Sequence, residues 1–418
     1  MYYIIICVFI IFLLLKRGEN KCYKLLALLQ IISFVAGVFV DNKATVDSFT
    51  TLLNIIYCVL TLILIIVPWN NFSIRRIHIT NMNFFLFFKK WLYFVLKCTI
   101  LNNILVLILV LIFIPDIASF KNSRAFIDVY ERIPYFSILF RYCSVSKFLG
   151  LMVFPISAYF FSVNNKKEAL KALLLSTSTL IGAIAFYSRA QILTYFLLLI
   201  CFFFLTSNTF SQDIERKLNK NVKYTTIIIT SIFLAISILR FGNMSYYGDR
   251  IPQTSLIKEP ISYSLFDYTS KGFPNGIDQL EYHQSEDVLY GKQCIYSLCL
   301  ALSFVHLIDW KSEDALDSFD RSYSKQNLDD NDSGSFHGYT CRMVKNFGYV
   351  ISLLINICFY FYVKKTSYSS VISMQKLMIL TFLLIQPVIA IFYMDYDLYS
   401  FPLLFFLFIK ILYNVMPR

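Results

Sequence analysis

The sequence predicts an all-α polytopic membrane protein with about eleven transmembrane helices and one large extracytoplasmic loop, on three observations. Of 418 residues, 57% are hydrophobic and only 15% are charged, giving a mean hydropathy of +0.62. Soluble domains carry more charge, about 25%. Membrane-length apolar runs recur along nearly the whole chain, and one long polar stretch, 241–347, interrupts them with 15 of the 26 acidic residues.

A helix needs about 20 apolar residues to cross the hydrocarbon layer. Eleven runs approach or meet this: 2–15, 25–40, 49–68, 92–114, 147–163, 169–187, 191–206, 225–240, 348–363, 374–393 and 398–415. The first is short for a full span. All are apolar on every side, whereas barrel strands would alternate in polarity over about ten residues, so helices are expected throughout. The chain then divides into residues 1–240, with eight spans and an outer loop at 115–146; the large loop 241–347; and residues 348–418, with three spans. Inside the large loop, 293–308 is apolar for about four turns. If it spanned, the loop bearing Lys364, Lys365 and Lys376 would change sides. An interfacial or re-entrant helix is therefore expected there, with Trp310 and Lys311 at headgroup level.

The net charge of +12 raises the question of a nucleic-acid partner, and its distribution answers no. Loops 16–24, 69–90, 164–171, 207–224 and 364–376 carry 18 Lys and Arg against 4 acids. The alternate short loops 41–48, 188–190 and 394–397 carry only Lys43 and Arg189. That asymmetry is the positive-inside rule, which predicts an extracytoplasmic N-terminus and a cytoplasmic Arg418. The N-terminal run reads as an uncleaved anchor, because its basic residues, Lys16 and Arg17, follow the apolar stretch. Ten cysteines are scattered without ligand spacing, and Cys143, Cys294, Cys299 and Cys341 fall outside the spans. No metal or cofactor is expected.

A polytopic protein that keeps one large hydrophilic loop on one side points to a substrate handled at that membrane face. Arg189, in Tyr-Ser-Arg-Ala-Gln, starts a helix on the outer side with Ser188 as candidate N-cap. A guanidinium beside free helix N–H groups suits phosphate; a snorkelling topological Arg is the alternative. Arg240 ends the next span at the same face and Arg250 follows, so two or three guanidiniums can clamp a diphosphate. Arg250 equally suits a surface pair with Asp249. His337 precedes the span that begins at Gly348, and a neutral His there is a candidate general base, with an ordinary loop histidine as the alternative. Tyr339 and Arg342 lie near it in sequence as candidate sugar contacts. Asp395, with Asp397, caps the outer ends of the last two spans and suits a sugar hydroxyl, a cation or simple topology.

Taken together, these features resemble the bacterial O-antigen polymerase and ligase group, in architecture over nearly the whole chain. Ser188-Arg189 at the start of a helix is similar to the family's Ser-Arg element. His337-Gly338-Tyr339, running on to Phe347-Gly348 and an apolar span, is similar to the end of its loop, with Gly338 where ligases more often carry Asn. The resemblance implies metal-independent, inverting glycosyl transfer at the outer face of the bacterial inner membrane, without a cofactor. The implied partners are an undecaprenyl-diphosphate-linked oligosaccharide, membrane lipid and a chain-length regulator protein. The implied roles are His337 and Arg189 in catalysis, Arg189, Arg240 and Arg250 on the diphosphate, and Tyr339, Arg342 and Asp395 on sugar. A ligase that transfers polysaccharide to lipid A core, and a lipid-linked oligosaccharide flippase, are the alternatives. A flippase would carry charge buried along a pathway and internal repeats.

Overall fold

In a computed structural model of the chain, the described residues are 2–16, 20–41, 43, 44, 46, 48–113, 137–146, 148–186, 188–220, 224, 227, 231, 251–281, 288–291, 302, 307, 338–390 and 397–415. Among the described residues, seven helices are long and apolar enough to cross a membrane: Lys21–Val40, Phe49–Asn71, Met82–Phe113, Ile138–Ser162, Lys166–Ala185, Ala190–Thr209 and Gly338–Ser367. Three shorter apolar helices, Tyr2–Leu15, Met374–Ile389 and Phe401–Val415, accompany them. The chain is thus a multi-pass helical membrane protein, and the expected count of eleven spans is not confirmed among the described residues. The run 225–240 and the segments 115–136 and 293–308 lie outside the described residues, isolated positions aside.

The helices are α1 (Tyr2–Leu15), α2 (Lys21–Val40), α3 (Phe49–Ile66), α4 (Met82–Phe113), α5 (Ser137–Ser146), α6 (Val153–Ser162), α7 (Lys166–Ala185), α8 (Arg189–Thr206), α9 (Pro260–Ser270), α10 (Gly272–Glu281), α11 (Gly338–Ser367), α12 (Met374–Ile389) and α13 (Asp397–Val415). Two short strands, β1 (Arg76–His78) and β2 (Val371–Ser373), pair in parallel with Ile77 opposite Ile372. The chain forms two compact units, one of Met1–Ser73, Met244–Ser369 and Leu383–Asp397, the other of Ile74–Asn243, Ser370–Phe382 and Leu398–Arg418.

In the first unit, α1 and α2 are antiparallel. The Tyr23 hydroxyl donates to Leu13 O at 3.2 Å, and the Tyr3 hydroxyl to Asp41 at the other end at 3.4 Å. Asn20, the N-cap of α2, ties that helix to the segment that follows α3 by donating to Phe72 O at 2.9 Å. Residues 256–281 then follow α2 inward and return along α3. Leu256 N donates to Phe39 O at 2.9 Å, and thirteen residues on, Ser33 Oγ donates to Thr269 O at 2.8 Å. The chain turns, the Phe273 ring meets Phe34 edge-on at 5.0 Å, and Glu281 accepts from Thr51 Oγ1 at 2.6 Å at the start of α3. This α9–α10 hairpin leaves by the end at which it arrived, so it is re-entrant. Part of the expected loop 241–347 therefore packs along spans. Backbone of this kind is tolerated at membrane depth where protein covers it, and α10 is largely buried.

Helix α11 is broken at Gly348, whose backbone (φ 71°, ψ 171°) is non-helical. Its first arm starts with Thr340 hydrogen-bonded to Thr61 in the middle of α3 and ends near Asn54, which accepts from the Tyr349 hydroxyl at 2.9 Å. The second arm runs back the other way, bringing Phe359 to Trp69. The two arms are bridged where Tyr339 Oη donates to Asn356 at 2.6 Å.

In the second unit, α4 lies along α7, with Asn103 Nδ2 donating to Ser178 O at 2.8 Å. Small buried residues on α7, among them Ser178, Gly182 and Ala185, permit that approach. Helix α4 begins ten residues before the apolar run 92–114. Hydropathy falls there because of Lys89 and Lys90, yet Lys89 is provided for: its Nζ lies 3.2 Å from Glu168 and 4.9 Å from the Phe160 ring centre. Helices α6 and α7 form a hairpin through Asn164 in the left-handed region and Asn165, which caps Glu168 N. From α13, Phe406 and Tyr413 pack on Phe84.

Two glycines hold the re-entrant geometry. At Gly348 an added Cβ meets only Val288 at 3.8 Å, so substitution costs backbone strain alone; at Gly338 (φ 64°) it would also sit 2.8 Å from Gly272 O. Gly348→Ala is expected to destabilise by about 1–3 kcal/mol, and Gly338→Ala by more. Thermal unfolding in detergent checks this order; equal midpoints for both variants and the parent would contradict the break and the close contact.

Candidate functional site

Lone amides in apolar helices carry a cost unless paired, since hydrocarbon offers no hydrogen bonds. The first unit gathers several of them. Gln30 on α2, Asn54 on α3, Asn275 and Gln279 on α10, Asn346 and Asn356 on α11 and Gln386 on α12 are all buried. Around them lie the hydroxyls of Tyr57, Thr61, Tyr339, Thr340, Tyr349 and Ser352. The re-entrant hairpin and the first arm of α11 insert charge as well. Lys345 is 7% exposed, and Lys271 pairs with Asp267 at 3.3 Å with both side chains mostly covered.

Much of this polarity is spent on holding broken ends. Gln30 Nε2 donates to Pro387 O at 3.4 Å and Tyr339 N donates to Ala390 O at 3.1 Å, both at the C-terminal end of α12. Some is not spent. Asn54 Nδ2, Asn275 Nδ2 and Gln386 Oε1 are buried and meet no hydrogen-bond partner among the described residues. Native proteins satisfy nearly all such groups with protein or water. Amide donors and an amide acceptor of this kind suit water or the hydroxyls of a polar ligand such as a sugar. Among the described residues no group of three or more His, Cys, Asp or Glu side chains is placed to hold a metal ion.

At the end where the hairpin begins, two carboxylates anchor it. Burial pushes the Asp41 carboxyl up, but hydrogen bonds from Thr254, Lys43 and Tyr3, with the Lys43 charge at 2.9 Å, outweigh it and hold Asp41 below the usual carboxylate range. Glu259 caps α9 by accepting from Ser262 N at 2.6 Å and Ile261 N at 3.0 Å, and these bonds hold its carboxyl low. A carboxylate at a helix N-terminus also complements the helix dipole.

Of the candidate residues read from sequence, Tyr339 and Arg342 fall together on the first arm of α11, in the polar interior. Tyr339 is 3% exposed and its hydroxyl is committed to Asn356. Arg342 is half-buried, and its carbonyl accepts from Asn346 Nδ2 at 3.1 Å. Arg189 is the first residue of α8, in the other unit, preceded by Ser188 at the N-cap position. Among the described residues, the Ser188 side chain makes no capping hydrogen bond to α8. His337, Arg240, Arg250 and Asp395 lie outside the described residues. Sequence reading missed Asn54, Asn275, Lys345 and Gln386, although single amides at Asn54, Asn356 and Gln386 inside apolar runs were a legible signal. Gly338 is set by its contact with Gly272, which leaves no room for a side chain there.

No family model matches the chain, and neither a curated protein nor a solved structure matches it.

Tyr339→Phe removes the donor to Asn356 and is expected to lower stability by about 1 kcal/mol, with no loss from Tyr339→Phe in an Asn356→Leu background. Unfolding midpoints of the four proteins check the coupling. Asp41 and Glu259 have lowered values in the folded state, so their stabilisation is complete above the ordinary carboxylate range and is lost as pH falls through the folded values. The Asp41→Asn/Glu259→Gln protein should therefore lose less thermal stability than the parent between pH 7 and pH values near 3; parallel losses would contradict the anchoring role.

Proposed function

We propose that this protein is an O-antigen polymerase that joins undecaprenyl-diphosphate-linked oligosaccharide repeat units at the periplasmic face of a bacterial inner membrane, its N-terminus periplasmic and its C-terminus cytoplasmic. The observation that carries this reading is the polar interior built by the α9–α10 hairpin and the broken α11, with Asn54, Asn275 and Gln386 presenting uncommitted amide atoms. A sugar chain anchored to lipid must be handled within reach of the membrane, where a hydroxyl-rich ligand needs such groups. The chemistry is a single displacement. An acceptor hydroxyl attacks the anomeric carbon of the donor sugar, the bond from that carbon to the diphosphate oxygen breaks with inversion, and the hydroxyl proton passes to a base, for which His337 is the candidate. The departing diphosphate needs fixed cations; Arg189 at the start of α8, with Arg240 and Arg250, would supply them. Tyr339 is then a positioning residue that holds the two arms of α11, and Arg342 and Asp395 remain candidates for sugar. A chain-length regulator is the expected protein partner.

A lipid-linked oligosaccharide flippase is the second reading, favoured by Lys345 and the Lys271–Asp267 pair inside the helical bundle and by helices that end within it. The lipopolysaccharide ladder separates the two. A strain without the gene should retain core bearing one repeat unit, and Arg189→Ala at normal protein level should reduce long chains by on the order of a hundredfold. Bare core in the deletion strain would move the assignment to flippase or ligase, and an unchanged ladder would overturn it.

A further inference from the structure

The second unit contains a cavity of about 220 Å³ between α6, α7, α8 and the helical residues 212–220. Its inner wall is aromatic, formed by Phe154, Phe161, Phe202 and Phe203, all largely buried. Leu170, Leu173 and Leu218 line it toward the end at which α7 begins. Its polar lining is limited to Ser157 and Thr206, and Thr206 spends its hydroxyl on Phe202 O at 2.9 Å. The volume exceeds the ~150 Å³ of an apolar cavity that stays dry and takes up benzene. Walls of this kind hold hydrocarbon and offer nothing to sugars or water.

What surrounds the opening narrows the occupant. Leu170 is 59% exposed on a membrane-spanning helix, so the cavity borders the lipid. Lys166 lies one turn before Leu170 and two before Leu173, on the same face of α7, and both it and Lys167 are exposed. Arg216, Lys217 and Lys220 are exposed beside Leu218. The acids nearby are fewer, namely Glu168, Asp213 and Glu215, and Glu168 is engaged by Lys89 and Lys171. A chain entering from the bilayer would thus leave its headgroup among cations. We infer that this cavity holds one acyl chain of an anionic phospholipid, whose phosphate rests on Lys166 and Lys167. The site is independent of the polar interior of the first unit and of the reaction proposed for it.

Native mass spectrometry of the purified full-length protein, delipidated and mixed with phosphatidylglycerol or phosphatidylcholine at equal concentration, tests this. One phosphatidylglycerol is expected to be retained where phosphatidylcholine is lost. Lys166→Gln/Lys167→Gln, on the exposed surface, should weaken its retention by about fivefold per charge removed. Ala158→Leu, which fills the cavity, should abolish retention; if that protein does not fold, the lysine pair decides alone. Equal retention of both lipids, no effect of the lysine pair, or preferential retention of an isoprenyl phosphate would each overturn the inference.

Discussion

The structure depends on one constraint: a helix that stops inside a membrane must satisfy the carbonyl groups it strands there. In water a frayed end costs little, but in hydrocarbon each unsatisfied group costs several kcal/mol. Three bonds in the first unit meet this demand. Ser33 covers Thr269 O at the end of α9, Gln30 reaches Pro387 O, and Tyr339 N closes on Ala390 O at the end of α12. Two of the donors come from α2, a continuous span, so an unbroken helix serves as scaffold for the broken ones. The close contact of Gly338 with Gly272 follows from the same arrangement, because the start of α11 is drawn against the turn between α9 and α10.

Hydropathy made the spans legible because it reports what faces lipid. Helices α2, α3, α7 and α8 each coincide with an expected run to within a few residues. It failed where protein, not lipid, is the neighbour. Residues 260–281 contain Asp267, Lys271, Asn275 and Asp278, too polar to register as membrane segments. Their polarity points into the unit and their apolar residues, such as Phe273, Ile277 and Leu280, are buried against spans. The start of α4 escaped for the related reason that Lys89 is compensated locally by Glu168 and aromatic rings, which no windowed average detects. The break at Gly348 was legible only as the edge of an apolar run; that two arms fold back on each other there is a consequence of tertiary contacts, chiefly Tyr339 with Asn356.

For the candidate site, sequence supplies an expectation of its chemistry and little about its position. Charge asymmetry, the polar stretch 241–347 and the Ser188-Arg189 helix start are what raise the expectation of a lipid-borne, anionic substrate. They say nothing of Asn275 or Lys345, whose burial comes from the re-entrant hairpin and from the first arm of α11. Tyr339 illustrates the difference. Its position beside His337 suggests a ligand contact, whereas its hydroxyl is used to brace α11. A residue adjacent in sequence to a reactive group is as well suited to fixing the backbone that carries it.

The polar interior and the proposed chemistry constrain each other. Metal-free glycosyl transfer must offset the charge of a departing diphosphate with fixed cations, and those act most strongly where water is scarce and their geometry is set beforehand. Sugar hydroxyls, conversely, need donors and acceptors that hydrocarbon lacks. A membrane protein meets both demands by bringing backbone and amides inward on elements packed against its spans, as the α9–α10 hairpin is. The expense is paid in glycine-dependent backbone and buried polarity that must be satisfied group by group. Bonds such as Tyr57 to Tyr349 O and Thr51 to Glu281 are part of that satisfaction. Under the proposed function, the atoms of Asn54, Asn275 and Gln386 that meet no partner among the described residues are candidates for a substrate or its hydration to complete.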